Sequence, residues 1–143
     1  MTETTDSTDI NVNVASHLAR MAQAHPFKRA VVYPAGRDAA GRLAYAHLSF
    51  QQLDRESDTI AHGLLKAGIG LGTRTILMVR PGLDFFSLIF AIFKVGAVPV
   101  VVDPGMGIRR MLACFRSTRP QAFVGIPLAH AVRSVFRQNF KTV

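Results

Sequence analysis

The spacing of hydrophobic positions changes along the chain, and each change marks a predicted element. Val14–Ala24 has apolar residues at helical spacing, which predicts a first helix with Asn13 as its N-cap. Two short β-type runs follow, Ala30–Tyr33 and Leu43–Leu48, and a segment rich in Pro, Gly and Asp separates them. This pair predicts a hairpin near the edge of the fold.

A repeating strand and helix pattern occupies the rest of the chain. Ser49 and Gln52 have the spacing of a capping box, which predicts a helix that begins there and ends at Gly68. The strands predicted after it are Thr75–Val79, Val98–Val102 and Ala122–Ile126. Three further helices are predicted. They are Leu83–Val95, a helix whose apolar positions are Ile108, Met111, Leu112 and Phe115, and Leu128–Phe136. Solidly apolar strands separated by helices are typical of a parallel sheet covered on both faces. The predicted fold class is therefore α/β, with a mainly parallel sheet flanked by helices.

Composition divides the chain into two regions. Residues 1–13 are rich in Thr, Ser and acidic residues, and we expect a disordered tail there. Residues 14–143 have the length of one domain, and a hydrophobic content of 49% in the whole chain is enough for a core. The acidic N-terminus is unlike a secretory signal, so we expect a cytoplasmic protein.

The one cysteine, Cys114, cannot form an intrachain disulfide, and no Cys or His group has the spacing of a zinc site. Because Cys114 lies in an apolar stretch, we predict a small core residue rather than a reactive thiol. The apolar run Leu83–Val102 is interrupted by Lys94 and Pro99, so no transmembrane segment is predicted.

The formal net charge of +8 is unevenly distributed. Every charged residue after Asp103 is basic: Arg109, Arg110, Arg116, Arg119, Arg133, Arg137 and Lys141. Nucleic acid or an anionic membrane surface is one interpretation of this bias. We favour solvated faces of two amphipathic helices, and we predict no nucleic-acid partner.

No motif amounts to a catalytic constellation. The glycines 68, 70 and 72 follow a predicted helix and precede a strand, the reverse of the order in a phosphate loop, so they are interpreted as a helix end and turn. Gly105–Arg110 lies between strand and helix but lacks a dinucleotide fingerprint. Asp103 ends a strand, where it would contact a ligand or cap the loop. The five histidines are scattered along the chain: His17, His25, His47, His62 and His130. We predict no catalytic, cofactor-binding or metal-binding residue.

Three segments, in order, resemble motifs of the adenylate-forming enzymes, which include acyl-CoA synthetases and peptide-synthetase adenylation domains. The segments are Leu48–Asp54 (LSFQQLD), Gly68–Arg74 (GIGLGTR) followed by Val79–Pro81 (VRP), and Phe93–Pro104 (FKVGAVPVVVDP). Phe50 and Gln52 depart from the first motif. Within the family, Asp103–Gly107 (DPGMG) and Ala122–His130 (AFVGIPLAH) are most similar to the β-lactone synthetases of bacterial long-chain olefin biosynthesis.

The resemblance implies an enzyme that uses ATP and Mg²⁺ to form an acyl-adenylate from a carboxylic acid. In the β-lactone synthetases, the 3-hydroxyl of a long-chain 2-alkyl-3-hydroxy acid then displaces AMP and closes the ring, whereas acyl-CoA synthetases use the thiol of coenzyme A. The family's phosphate loop, metal motif and catalytic lysine lie beyond Val143. We therefore expect a partial N-terminal subdomain, inactive alone and without a bound cofactor.

Two alternatives remain open. The first is a fragment of a fatty acyl-CoA ligase, and the second is a non-catalytic interaction module. For a partial subdomain, we also expect an exposed apolar patch or strand edge and self-association through it. The residues singled out for that patch are Phe85, Phe86, Phe90, Phe93 and Phe115.

Overall fold

A computed structural model of the chain describes residues 13–102 and 104–125. In chain order, its helices are α1 (Ala15–Ala24), α2 (Phe50–Lys66), α3 (Leu83–Lys94) and α4 (Ile108–Thr118), its strands are β1 (Arg29–Arg37), β2 (Leu43–Ser49), β3 (Arg74–Met78), β4 (Val98–Val101) and β5 (Ala122–Gly125), and a 3₁₀ turn spans Pro104–Met106. Three parts of the sequence analysis lie outside the described residues. They are the predicted helix Leu128–Phe136, the strand-end residue Asp103, and the predicted tail apart from Asn13. None of the described helices is long and apolar enough to cross a membrane.

Helix α1 is assigned from Ala15, one residue later than predicted, but Val14 before it already has helical dihedral angles (φ −57°, ψ −28°), so Asn13 directly precedes the first helical turn. The side-chain oxygen of Asn13 accepts a hydrogen bond from the backbone N–H of Ala15 at 2.9 Å, so Asn13 satisfies one of the free donors of the first turn. The amide nitrogen of the same side chain donates to the carbonyl of Phe93 at 2.6 Å. Asn13 therefore both caps α1 and fixes it against the end of α3.

Strands β1 and β2 form the predicted antiparallel hairpin, but β1 is longer than expected. Pro34 and Gly36 belong to the Pro- and Gly-rich segment that predicts the turn, and in the structure they lie in the strand. The ladder accommodates them through a register shift between Pro34 and Gly36, where Gly36 adopts a φ of +114°. The turn itself is formed around Asp38, whose carboxylate accepts from the backbone N–H groups of Ala40 and Arg42.

Helix α2 has the predicted signals at both ends. Ser49 Oγ accepts from Gln52 N–H at 3.2 Å, and Gln52 Oε1 accepts from Ser49 N–H at 2.9 Å, which completes the capping box. At the C-terminus, Gly68 has a φ of +80° and donates to Leu65, while Ile69 donates to Leu64. These two bonds form a Schellman motif. The interpretation of the first glycine as a helix end is confirmed.

The three later strands form a parallel sheet in the order β4-β3-β5. Ile76 of β3 pairs with Val100 on one side and with Phe123 on the other. All three predicted strands are therefore present, and the α/β class is confirmed. Their described bounds differ from the predicted ones by one residue at some ends.

Side chains alternate between the two faces of this sheet, and helices cover both faces. On one face, Ile76 and Phe123 pack against Met111 and Phe115 of α4. On the other, Leu77 packs in a second cluster that contains side chains of α2 and α3, including Ala61, Leu64, Ala91 and Ile92. The prediction of a sheet covered on both faces is confirmed.

A third cluster lies away from the sheet and joins α1, the hairpin and α2 through Leu18, Leu48 and Leu53. Phe90 of α3 packs against it, and Phe85 packs against the cluster that Leu77 forms with α2 and α3. Among the phenylalanines expected in an exposed patch, Phe115 is fully buried, while Phe86 keeps 36% of its surface exposed. The expected patch on α3 is therefore confined mainly to Phe86.

Candidate functional site

The carboxyl end of the parallel sheet is where open α/β folds place ligands. Two loops reach this edge in the described residues, one after β3 and one after β4. The first carries Arg80, which is exposed to solvent and forms no ion pair within residues 13–102 and 104–125. The second contains the 3₁₀ turn and Gly107, which adopts a φ of +83°.

Helix α4 begins at this edge, directly after Gly107, and its Arg109 and Arg110 are exposed. Its opposite side buries Met111 and Phe115 against the sheet. This arrangement confirms the amphipathic interpretation for the first of the two basic helices, while the second lies outside the described residues. The edge can attract an anion, but within the described residues no group of three or more His, Cys, Asp and Glu side chains could hold a metal ion.

The strongest polar constellation of the described chain lies elsewhere, between α2 and α3. Lys94 Nζ lies 2.7 Å from Asp54 Oδ1, 2.7 Å from Asp58 Oδ1 and 2.8 Å from the backbone carbonyl of Asp54. Only 14% of the Lys94 side chain is exposed, so all three donors of a largely buried ammonium group have acceptors. This network fixes the end of α3 against the first turns of α2.

A second polar contact joins the same helices one to two turns earlier along α3. Ser87 Oγ donates to Glu56 Oε2 at 2.8 Å, and the serine is buried to 1% exposure. Beside it a shallow groove opens between the two helices, lined by Glu56, Thr59, Ile60, Asp84, Ser87 and Leu88. The groove is open to solvent and has no basic residue in its lining, so it forms no site for a carboxylate or a phosphate.

The remaining sequence-predicted positions behave as follows. His17, His25, His47 and His62 are exposed, and His130 lies outside the described residues. Cys114 is half-buried, so the prediction of a core residue was wrong. It lies on α4 between the buried face of the helix, with Phe115, and its exposed face, with Arg116.

Sequence reasoning missed the role of Lys94, which it used only to exclude a membrane span and as part of a motif. The available signal was on α2, where Asp54 and Asp58 are four residues apart and therefore share one face. Two acids on a face that must pack against an apolar helix need a cation. Lys94 is a basic residue at the end of that helix.

The chain is similar to known proteins along almost its whole length. Residues 18–141 match the model of the AMP-binding enzyme family. An olefin β-lactone synthetase from Xanthomonas campestris pv. campestris is 49% identical over 126 residues, which are 87% of this chain and 23% of that protein. Another from Stenotrophomonas maltophilia is 48% identical over 127 residues, again 87% of this chain and 23% of the relative.

Solved structures share the fold at much lower identity. The N-terminal domain of FACL13 from Mycobacterium tuberculosis superimposes with a TM-score of 0.70 at 17% identity, over 88% of this chain and 30% of that one. A mutant form of coronafacic acid ligase from Pectobacterium brasiliense gives a TM-score of 0.71 at 17% identity, over 92% of this chain and 24% of that one. The chain thus spans about a quarter of the length of the curated relatives it matches.

Proposed function

Because this chain belongs to the AMP-binding enzyme family, we propose that it is the N-terminal part of an ATP-dependent adenylate-forming enzyme that converts a long-chain 2-alkyl-3-hydroxy acid to a β-lactone. The observation that carries this proposal is the near 50% identity to two olefin β-lactone synthetases along most of the chain. The structures of the same fold, at 17% identity, support the architecture only.

ATP and Mg²⁺ are proposed for the whole enzyme and not for the described residues. ATP supplies the activation of the carboxylate, with release of AMP and pyrophosphate. The described residues do not fit either group, because they contain no carboxylate or histidine cluster for a metal ion and no buried cation apart from Lys94. Since Lys94 is already occupied by Asp54 and Asp58, no step is assigned to it.

The described residues contribute the framework of one edge of the site. The Lys94 network fixes the end of α3, and the turn at Gly96 leads directly from there into β4. The loop after β4 and the start of α4 are positioned by that strand at the carboxyl end of the sheet. These residues therefore act by positioning the backbone at the edge where open α/β sheets bind ligands.

We also propose a cytoplasmic location for the whole enzyme and self-association of this chain. Val98 and Val101 of β4 are 48% and 55% exposed, and in the described part of the chain β4 pairs on one side only. A strand edge with exposed valines favours pairing with another chain. We therefore propose that the 143-residue chain alone associates with itself through this edge.

A chimera tests the function. Residues 15–125 of this chain would replace the matching segment of the Xanthomonas campestris synthetase, and the products from a 2-alkyl-3-hydroxy acid and ATP would be analysed with and without coenzyme A. We expect a β-lactone, with AMP and pyrophosphate, independent of coenzyme A. The matched control carries the corresponding segment of FACL13, which has the same fold at low identity, and we expect it to be much less active.

Two outcomes would contradict the proposal. One is a coenzyme A thioester as the main product, which would favour the acyl-CoA ligase alternative. The other is a folded chimera, shown by a cooperative thermal transition, that consumes no ATP. That result would favour the non-catalytic interaction module.

A further inference from the structure

The β1–β2 hairpin has one face that turns away from the core. The ladder pairs Val32 with His47, Pro34 with Tyr45, and Arg37 with Leu43, so these six side chains lie on the same side of the hairpin. We call this side the outer face. The opposite side carries Val31 and Leu48, which pack in the cluster with α1 and α2.

The outer face is apolar and exposed. Val32, Leu43 and Tyr45 keep 51%, 56% and 59% of their surface accessible, whereas Leu48 on the inner side keeps 7%. None of these three side chains packs against a hydrophobic cluster of the described residues. Three large apolar side chains side by side on a short hairpin form a patch of the kind that marks an interaction surface.

The hairpin that carries the patch is basic, and its Arg37 pairs with Leu43 of the outer face. The segment from Lys28 to Ser49 contains four basic residues and one acid: Lys28, Arg29, Arg37 and Arg42 against Asp38. The acid is already paired, since Asp38 Oδ2 lies 3.0 Å from the Arg42 guanidinium. Three basic side chains therefore have no acidic partner within the hairpin, and the partner that fits them carries negative charge.

We propose that the outer face of the hairpin docks on an anionic lipid bilayer. Interfacial binding needs an apolar face that enters the acyl boundary together with basic residues at the headgroups, and its strength grows with both. The outer face supplies the first with Val32 and Leu43 and the second with Arg37. Tyr45 has the amphipathic ring that is enriched at membrane interfaces.

A nucleic acid fits the same charge less well. Single-stranded nucleic acids bind through aromatic side chains on which bases stack, and an aliphatic side chain offers no ring for stacking. On the outer face, two of the three exposed apolar side chains are aliphatic. Docking on a bilayer is also separate from catalysis, so it can be measured without ATP or acid and does not depend on the proposed function.

Vesicle sedimentation with the 143-residue chain tests the proposal. The vesicles contain phosphatidylcholine with or without about a quarter of phosphatidylglycerol, at low salt and at about 0.3 M salt, where charge interactions are screened. We expect binding to the anionic vesicles only, and weaker binding at the higher salt. Arg37→Gln should weaken binding about fivefold, and the double variant Leu43→Ser, Tyr45→Ser by at least about tenfold.

Leu65→Ser is the matched control, because Leu65 is 54% exposed but lies near the far end of α2, roughly 20 Å along the helix from the hairpin. It should bind as the unchanged chain does. Equal binding of the hairpin double variant, or equal binding to neutral vesicles, would overturn the proposal. Tighter binding to a single-stranded oligonucleotide than to anionic vesicles would also overturn it. A third contrary outcome is that no form of the chain binds vesicles, while the hairpin double variant abolishes self-association in sedimentation velocity.

Discussion

The ammonium group of Lys94 lies 2.7 Å from a carboxylate oxygen of Asp54, although the two residues are 40 positions apart in sequence. Asp54 is the last residue of the first segment that resembles the adenylate-forming enzymes, and Lys94 is the second residue of the third. The ion pair therefore joins two motifs that the sequence presents as separate. It also gives the ammonium group of Lys94 its acceptors at the end of a helix that buries Ala91 and Ile92.

Removing the cation should destabilise the fold. Lys94→Met keeps the apolar stem but leaves Asp54 partly buried without its partner, and we expect a loss of about 2–4 kcal/mol in the free energy of unfolding. Urea denaturation measures it. Asp58→Asn is the matched control, because Asp58 is 56% exposed and should contribute less than about 1 kcal/mol. Strictly additive effects of Lys94→Met and Asp54→Asn in a double-mutant cycle would contradict the ion pair.

Glycine substitutions should change stability with opposite signs. Gly68 and Gly96 have φ values of +80° and +71° at the ends of α2 and α3, so alanine at either position should cost about 1–2 kcal/mol. At Gly96 the new Cβ would also meet Leu71 Cδ1 at 2.8 Å, but Leu71 is 89% exposed and can rotate away.

Gly63 is the control for these two positions. It lies inside α2, and beyond its chain neighbours and the nearby helix backbone no atom lies within 4 Å of an added Cβ, so Gly63→Ala should stabilise the chain by about 0.5–1 kcal/mol. Thermal denaturation of the three variants gives the signs. A stabilising Gly68→Ala would contradict the left-handed helix end.

The capping box should contribute measurably to α2. Ser49→Ala removes the acceptor for Gln52 N–H and should lower the free energy of unfolding by about 1 kcal/mol. Gln52→Glu keeps the reciprocal bond and adds a negative charge near the helix N-terminus, so it should stabilise by a few tenths of a kcal/mol. Urea denaturation of both variants is the measurement. A neutral Ser49→Ala would contradict the cap.

Replacing a buried phenylalanine should lower the free energy of unfolding far more than replacing an exposed one. Phe115 is fully buried between α4 and the sheet, so Phe115→Ala should cost about 3–5 kcal/mol. Phe86→Ala, at 36% exposure, should cost much less and should also reduce ANS fluorescence if the side chain is part of an apolar patch. Comparable losses in the two variants would contradict the packing of α4 on the sheet.

The stability of the turn at the tip of the hairpin should depend on pH. Hydrogen bonds from the backbone and guanidinium of Arg42 and from the backbone of Ala40 hold the pKa of Asp38 below its usual range. Because the pKa of Asp38 is lowered in the folded chain, its contribution to the stability of the turn is present at neutral pH and is lost as the pH falls through that lower pKa. NMR titration of the Ala40 and Arg42 amide shifts measures this, and Asp38→Asn should remove the transition. A midpoint at or above the usual aspartate pKa would contradict the turn.

Local chemistry in the sequence determined the elements and most of their ends. Ser49 and Gln52 specified the start of α2, and Gly68 its end, because a cap and a left-handed glycine act within a few residues of themselves. Solidly apolar runs specified the parallel strands. The resemblance to the adenylate-forming enzymes also depended only on residue order, and the family match confirms it.

Only the tertiary structure decided which elements meet. The order β4-β3-β5, the contact of Lys94 with Asp54, and the burial of Phe115 rather than Phe86 all depend on residues far apart in the chain. Periodicity gives the face of a helix but not the surface it packs against, and Cys114, at the border of such a face, was placed wrongly for that reason. Packing and ion pairing act through space, so they follow from the assembled fold and not from local pattern.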